Sequence, residues 1–238
     1  MAMFARDLSV ARYRSFDSYR LELSDGVTVL AGPNAAGKTN LIEALQLLTS
    51  GASFRHSTAV ELVHDGTGLC KAELRLEGDG RVLDMGLCVE DGKRSFSRNG
   101  KRCAASGVRG VLPSVLFCPD HLDMVKRGAS VRRAALDDFG VQLSARYADL
   151  ASAYGRCVTQ RNALLKMEVE PDQALLDIWE EEMARHGETV YRKRDEFVRE
   201  LVPTFQHIYQ VISECKETVS LAYQSHCQRG PLLEVIRR

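Results

Sequence analysis

The chain has 238 residues, of which 45% are hydrophobic and 27% charged, a composition typical of a globular protein with a sizeable core. Its 32 basic and 32 acidic side chains cancel, which excludes binding of nucleic acid through overall basicity and leaves only local patches. No apolar run approaches the length of a membrane span, and the scattered cysteines indicate reduced thiols in a cytoplasmic protein, with neither a disulfide framework nor a structural zinc site.

The opening part of the chain predicts three strands and a helix. Alternating apolar residues indicate strands over Leu8–Phe16 and Tyr19–Leu23. A short run, Gly26–Ala31, is typical of a buried strand, and Thr39–Leu48 carries apolar residues at helical spacing. The sequence therefore predicts a strand–loop–helix unit in this region.

The loop between this strand and helix matches the phosphate-binding pattern G-x-x-x-x-G-K-[ST]. Its glycines allow successive backbone N–H groups to converge on phosphate oxygens, and the positive end of the helix dipole adds to them. Lys38 would neutralise the outer phosphates, the Thr39 hydroxyl would hold Mg²⁺, and Asn34 would add a polar contact. The sequence predicts that a nucleoside triphosphate is bound by Gly32, Pro33, Asn34, Ala35, Ala36, Gly37, Lys38 and Thr39.

A β-rich stretch follows a loop and a short helix that are predicted over residues 53–63. Strands are indicated over Cys70–Leu76, Arg81–Val89 and Lys93–Arg98 by their alternation and by the glycine-containing turns between them. The dipeptide Asn99-Gly100 is a hairpin signal because both residues tolerate positive φ. We expect an antiparallel sheet packed beside the nucleotide-binding core.

The same stretch carries the best local signal for DNA binding, because residues 92–119 contain no acidic residue. A basic hairpin of this kind would neutralise backbone phosphates without reading the base sequence. The alternative is a solvated hairpin with a basic bias. The candidate DNA-binding residues are Lys93, Arg94, Arg98, Lys101 and Arg102.

From about Ser130 the apolar period becomes helical. One stripe runs from Leu136 to Val158, and a second runs from Trp179 to Leu201. Stripes of this kind pack on each other, so the sequence predicts an antiparallel helical arm.

These pieces, in this order, resemble the RecF family of bacterial recombination and repair ATPases, which is related to the SMC and Rad50 head domains. The resemblance runs from about Leu8 to Tyr223. Its motifs are Arg14-Ser15-Phe16, Gly32–Asn40 followed by Leu41-Ile42-Glu43-Ala44, Ser53-Phe54-Arg55, Asn99-Gly100-Lys101 and Phe117-Cys118-Pro119-Asp120-His121-Leu122. The resemblance implies an α/β fold with a P-loop nucleotide core of the ABC/SMC-head type, an antiparallel β subdomain and an inserted antiparallel helical arm.

The resemblance also implies a function. Members bind ATP with Mg²⁺, and Asn40, Arg14 and Arg55 are expected to join the loop near the nucleotide. The alternative for the two arginines is a surface ion pair with a neighbouring acid. The family implies an ATP-dependent homodimer in the cytoplasm that binds single-stranded, gapped or junction DNA. It would assist recombinase loading, with the mediators RecR and RecO, in DNA replication, DNA repair and the SOS response.

Two motifs of such ATPase heads are not found after residue 201. They are the signature Ser-x-Gly-Gln and an apolar strand that ends in Asp-Asp or Asp-Glu, which holds Mg²⁺ and orients water. We therefore expect an N-terminal piece of a longer protein, in which the family's weak DNA-dependent ATPase is catalytically incomplete.

In this interpretation a P-loop core lobe with the β-rich subdomain occupies residues 1–129, the helical arm occupies 130–215, and a return segment begins over 216–238. The strands that normally flank the phosphate-loop strand would be missing, which would leave apolar edges exposed. The open alternatives are an ATP- and DNA-binding fragment that does not hydrolyse ATP, and a P-loop phosphotransferase.

Overall fold

The computed structural model describes residues 3–167 and 172–237. The chain forms two compact units, Met1–Cys118 and Pro119–Arg238. The first unit contains the sheet and one long helix, and the second is helical. The three-part division expected from the sequence remains a prediction.

The first unit is built on one antiparallel sheet of six strands in the order β2-β1-β3-β4-β5-β6. The strands predicted from alternation are present with slightly shifted ends, and a short sixth strand follows the Asn99-Gly100 turn. The opening strands join the same sheet as the later ones, so the β-rich stretch is not a separate sheet. The bounds are β1 Phe4–Tyr13, β2 Phe16–Glu22, β3 Leu69–Gly78, β4 Arg81–Glu90, β5 Lys93–Arg98 and β6 Lys101–Cys103.

Helix α1 (Lys38–Ser50), predicted from its apolar spacing, is confirmed and packs with one face of the sheet to form the core. Alternate strand residues point inward because successive side chains of a strand face opposite sides. Removing these apolar surfaces from water contributes roughly 25 cal/mol per Å². The inward residues are Leu8, Val10, Cys70, Ala72, Leu74, Leu76, Met85, Leu87 and Val89 from the sheet and Leu41, Ala44, Leu47 and Leu48 from the helix.

The buried strand predicted over Gly26–Ala31 is wrong, because this segment belongs to no strand. Val27 and Val29 are 87% and 78% exposed. An apolar run of this length becomes a strand only beside hydrogen-bonded neighbours, and none of the strands in the described residues pairs with it. Val115, in the segment 113–118, is likewise 91% exposed.

The second unit is the predicted helical arm. Arg161 contacts Glu180, and the ring of Tyr147 lies 5.1 Å from that of Phe197, so α4 and α5 run antiparallel. Helix α4 begins after Ser144, whose side chain accepts a hydrogen bond from the backbone N–H of Tyr147. The bounds are α2 Asp123–Lys126, α3 Ala129–Leu143, α4 Ala145–Leu165, α5 Gln173–Ile212 and α6 Leu232–Ile236.

Short 3₁₀ turns complete the described chain, including one over Val60–Leu62 where a short helix is predicted. Across residues 3–167 and 172–237, none of the helices combines the length and the apolar composition that crossing a membrane requires.

Candidate nucleotide-binding site

The predicted phosphate-binding loop is a solvent-exposed turn that leads into helix α1. Gly37 directly precedes the helix and has a φ of +90°, in the left-handed region that favours glycine. A Cβ at Gly37 would lie 2.5 Å from the ring of Phe16, so close packing also requires glycine there. Residues 32–36 are exposed. An anion therefore has access to the start of α1, where backbone N–H groups lack helical partners.

The Lys38 side chain bends back over this loop. Its Nζ donates hydrogen bonds to the carbonyl oxygens of Gly32 (2.8 Å) and Pro33 (2.7 Å). This geometry places an ammonium beside the positive end of the α1 dipole. Thr39 is exposed in the first turn of the helix, and its hydroxyl is chemically suited to a hard cation such as Mg²⁺. The loop, the lysine and the helix start thus form an arrangement that can bind a phosphate chain.

Arg55 and Asn40 lie together at the same end of α1. Arg55 Nη1 donates to Asn40 Oδ1 at 3.0 Å, and Asn40 Nδ2 donates to Ser15 Oγ at 3.1 Å. The Arg55 side chain is 44% exposed, so its guanidinium retains access to solvent. Of the two arginines expected near the nucleotide, Arg55 is therefore the one that the fold leaves accessible beside the helix start.

Arg14 is instead held by Glu43 on helix α1. The guanidinium donates to both carboxylate oxygens of Glu43 at 2.9 to 3.0 Å, and the Arg14 side chain is only 16% exposed. The pair joins the β1–β2 turn to the helix. The alternative given for Arg14 is a surface ion pair, and the observed pair differs from it because Glu43 is fully buried. A direct contact between Arg14 and nucleotide remains a prediction.

Glu43 is the centre of a polar cluster that sequence reasoning did not identify. Its carboxylate is fully buried and accepts hydrogen bonds at 2.6 Å from Ser53 Oγ and from Ser57 Oγ, in addition to those from Arg14. Arg55 Nη1 lies 3.7 Å from the same carboxylate. The available signal was a lone acid on the buried side of the helix, immediately before Ala44.

The candidate DNA-binding residues do not form one surface. Arg98 is paired with Lys101 and Ser97 with Arg102 across the β5–β6 hairpin, so Arg102 faces the side opposite Arg98 and Lys101. Lys93 and Ser97 lie on the same face of β5 because alternate residues of a strand share a face. Lys93 is therefore on the same side of the sheet as Arg102, the partner of Ser97. The exposed candidates are Lys93, Arg98, Lys101 and Arg102. Arg94 is less exposed and donates a hydrogen bond to the Ser57 carbonyl oxygen.

The sequence of this chain is similar to those of known proteins. A family described as an AAA domain matches residues 7–103. The DNA replication and repair protein RecF of Phocaeicola vulgatus is 35% identical over 242 residues, which cover 99% of this chain and 64% of the relative. RecF of Symbiobacterium thermophilum is 35% identical over 226 residues, covering 94% and 60%. The chain thus spans less than two thirds of the length of these curated relatives.

Solved structures of RecF have a fold similar to that of this chain. A structure of the recombination mediator protein RecF with ATP matches with a TM-score of 0.86 and 25% identity, covering 100% of this chain and 67% of that chain. The RecF-ATPrS structure matches with a TM-score of 0.83 and 27% identity, covering 90% and 59%. The predicted α/β fold class, with its antiparallel strands and helical arm, is confirmed.

Proposed function

The chain is homologous to the RecF family over nearly its whole length, and we propose that it is the ATP-binding part of a DNA replication and repair protein. The observation that carries this proposal is the Lys38 ammonium, held against the loop carbonyls of Gly32 and Pro33 at the start of α1. The RecF–ATP structure of matching fold supports ATP as the nucleotide.

The β- and γ-phosphates of ATP are bound by the backbone N–H groups of the loop and by Lys38. The lysine already lies across the loop, so binding requires little reorganisation of its side chain. Arg55, beside Asn40, adds a second positive charge at the same helix end. Gly37 keeps the backbone close enough to Phe16 for this loop shape to form.

The Thr39 hydroxyl, exposed in the first helical turn, is the proposed ligand for Mg²⁺. When bound, the ion would neutralise charge on the phosphate oxygens. Thr39 therefore couples the affinity for ATP to the presence of a divalent cation.

We propose on the family resemblance that the whole protein acts in the cytoplasm as an ATP-dependent homodimer that binds single-stranded, gapped or junction DNA. It would assist recombinase loading together with RecR and RecO, including during the SOS response. Exposed basic side chains at Lys93, Arg98, Lys101 and Arg102 support contact with DNA phosphates. Arg94 would contribute through the Ser57 backbone, which it holds in place.

A second candidate is a module that binds ATP and DNA without hydrolysing ATP. It needs only the phosphate-binding loop, Lys38 and the start of α1, which the described residues contain. Steady-state ATP turnover in the presence of DNA tests this candidate, because it predicts ATP binding without release of phosphate.

The experiment that tests the proposed site is a titration of the 238-residue chain with a fluorescent ATP analogue, in Mg²⁺ and in EDTA. The wild-type chain should bind more tightly with Mg²⁺. The substitution Thr39→Val removes the hydroxyl and keeps the side-chain shape, so it should abolish the difference that Mg²⁺ makes, with an affinity loss of roughly tenfold from one charged contact.

Thr159→Val is the matched control, because Thr159 is an exposed threonine on helix α4 of the other unit. It should bind ATP as the wild type does. Absence of ATP binding by the wild-type chain, with or without Mg²⁺, would contradict the proposed function.

A further inference from the structure

A groove at one end of the sheet carries positive charge that the nucleotide site does not use. It has a volume of about 320 Å³. Three arginines, Arg81, Arg98 and Arg109, line it together with one acid, Asp79. The groove therefore has an excess of guanidinium groups over carboxylates.

The sheet places two of these arginines on the same side. Arg81 shares a face of β4 with Leu83 and Met85, and Arg98 lies opposite Met85 in the neighbouring strand β5. Met85 is only 1% exposed and belongs to the core. Half-buried Leu83 follows it on this face, which then ends in exposed Arg81, while exposed Arg98 lies beside Met85.

Arg109 reaches the groove from the loop after β6. Its Nε donates a hydrogen bond to the Ser50 carbonyl oxygen at 2.9 Å, which fixes the side chain beside the end of helix α1. Within residues 3–167 and 172–237, none of the ion pairs involves Arg81, Arg98 or Arg109. Their guanidinium groups are thus available to an external anion.

Along β3 the opposite face of the sheet lacks such an excess. Its charged residues there alternate in sign, Lys71, Glu73, Arg75 and Glu77. The segment 92–119 has no acidic residue, and its hairpin continues the groove side with Arg98 and Lys101 while Lys93 and Arg102 lie on the other side. Positive charge therefore extends from the groove onto the hairpin, which suits an extended polyanion.

We propose that this groove holds a backbone phosphate of a nucleic-acid strand, with Arg81 and Arg98 as its ligands and Arg109 as a third, fixed positive charge. Guanidinium groups bind phosphate oxygens through paired N–H donors and need no base-specific contact. The inference rests on the proposed role in DNA repair and deepens it. It adds Arg81 and Arg109 to Arg98, which the proposed function already places in contact with DNA phosphates.

The test compares two double variants that remove the same charge from opposite sides of the sheet. Arg81→Gln with Arg98→Gln alters the groove, and Lys71→Gln with Arg75→Gln, on the opposite, exposed face of β3, is the control. Fluorescence anisotropy measures the affinity for labelled oligo(dT) and for a labelled duplex over a series of salt concentrations. These two probes distinguish single-stranded from duplex DNA as the source of the phosphate.

The groove variant should bind oligo(dT) roughly tenfold more weakly, and its log–log salt slope should fall by about 1.4, since each lost contact to a single strand removes about 0.7. The control variant should keep both values within about twofold. If thermal melting shows that the groove double variant is unstable, Arg98→Gln alone should lower the slope by about 0.7.

Each contrary result has a separate meaning. If the wild-type chain binds DNA and the groove variant keeps its affinity and slope, the groove is not the phosphate site, and the proposed function stands. If the wild-type chain binds neither probe, both the DNA function and the groove assignment are refuted. If poly-glutamate displaces oligo(dT) at equal charge and shows the same dependence on Arg81 and Arg98, the groove is a site for acidic peptide.

Discussion

Among single residues, Glu43 has the largest structural role near the candidate site. It is a fully buried carboxylate on the helix that follows the phosphate-binding loop. A buried charge is tolerated only when it is paired and hydrogen-bonded, and here Arg14, Ser53 and Ser57 supply those partners. The cluster fixes the β1–β2 turn and the 53–57 loop to the helix, and so positions Phe16 against Gly37.

The substitution Glu43→Gln should lower the free energy of unfolding by about 3 kcal/mol, because it leaves the largely buried Arg14 guanidinium without a counter-charge. Chemical denaturation followed by circular dichroism measures this. Glu73→Gln, on the exposed face of β3, is the control and should change it by less than about 0.5 kcal/mol. Equal stability of the two variants would show that the Glu43 cluster contributes nothing to the free energy of unfolding.

For single residues, the sequence predicts a site correctly when the residues of that site are neighbours along the chain. All of the residues of the phosphate-binding loop are consecutive, so the pattern identifies Gly37, Lys38 and Thr39 without a structure. The Glu43 cluster joins residues from three separate segments of the chain. No short-range pattern reports such contacts, and the ion pair of Arg14 could be given only as an alternative.

At the scale of elements, the helical arm depends on a close contact among three helices. Gly140 of α3 lies against the rings of Tyr147 and Phe197, where an added Cβ would be 2.6 Å from each. The Tyr147 hydroxyl donates to Asp137, which also forms a two-point ion pair with Arg194. Burial, followed by this hydrogen bond to Asp137, raises the pKa of Tyr147. The hydrogen bond and the contact with the Phe197 ring hold the Tyr147 ring against Gly140.

Gly140→Ala should therefore lower the free energy of unfolding by about 1 to 3 kcal/mol through overpacking. Gly155→Ala is the matched control in the next helix, α4, where nothing lies within 4 Å of the added Cβ. It should stabilise the protein by about 0.5 to 1 kcal/mol, because alanine favours the helix. Thermal melting of both variants should show a lower melting temperature for Gly140→Ala and a higher one for Gly155→Ala. A Gly140→Ala variant as stable as Gly155→Ala would contradict the packing described for α3.

The elements that the sequence predicts correctly are those whose partners are neighbours along the chain. Strands β3 to β6 pair in order through short turns, and Asn99-Gly100 marks one of these turns. The segment Gly26–Ala31 has the composition of a buried strand but no strand beside it in the described residues. Composition reports the tendency to be buried, and pairing depends on distant segments.

At the scale of the whole molecule, both candidate surfaces lie in the first unit. The phosphate-binding loop precedes helix α1, and the arginine groove lies at the end of the sheet that the same helix covers. The chain spans less than two thirds of the length of its curated relatives. The activity of a whole RecF-like protein is therefore a proposal for this chain, whereas nucleotide binding by its loop can be tested directly.

The central claim is that the Lys38 loop binds the phosphates of ATP, and isothermal titration calorimetry of ATP with the wild-type chain and Lys38→Ala tests it most directly. The account predicts that ATP binds the wild type and that Lys38→Ala weakens binding by about 10- to 100-fold, the loss of one or more charge-assisted contacts. The melting temperature should stay unchanged, because the ammonium contacts only loop carbonyls. The control Lys71→Ala, on the exposed face of β3, should bind as the wild type does. Equal ATP affinity of Lys38→Ala and the wild type would contradict the claim.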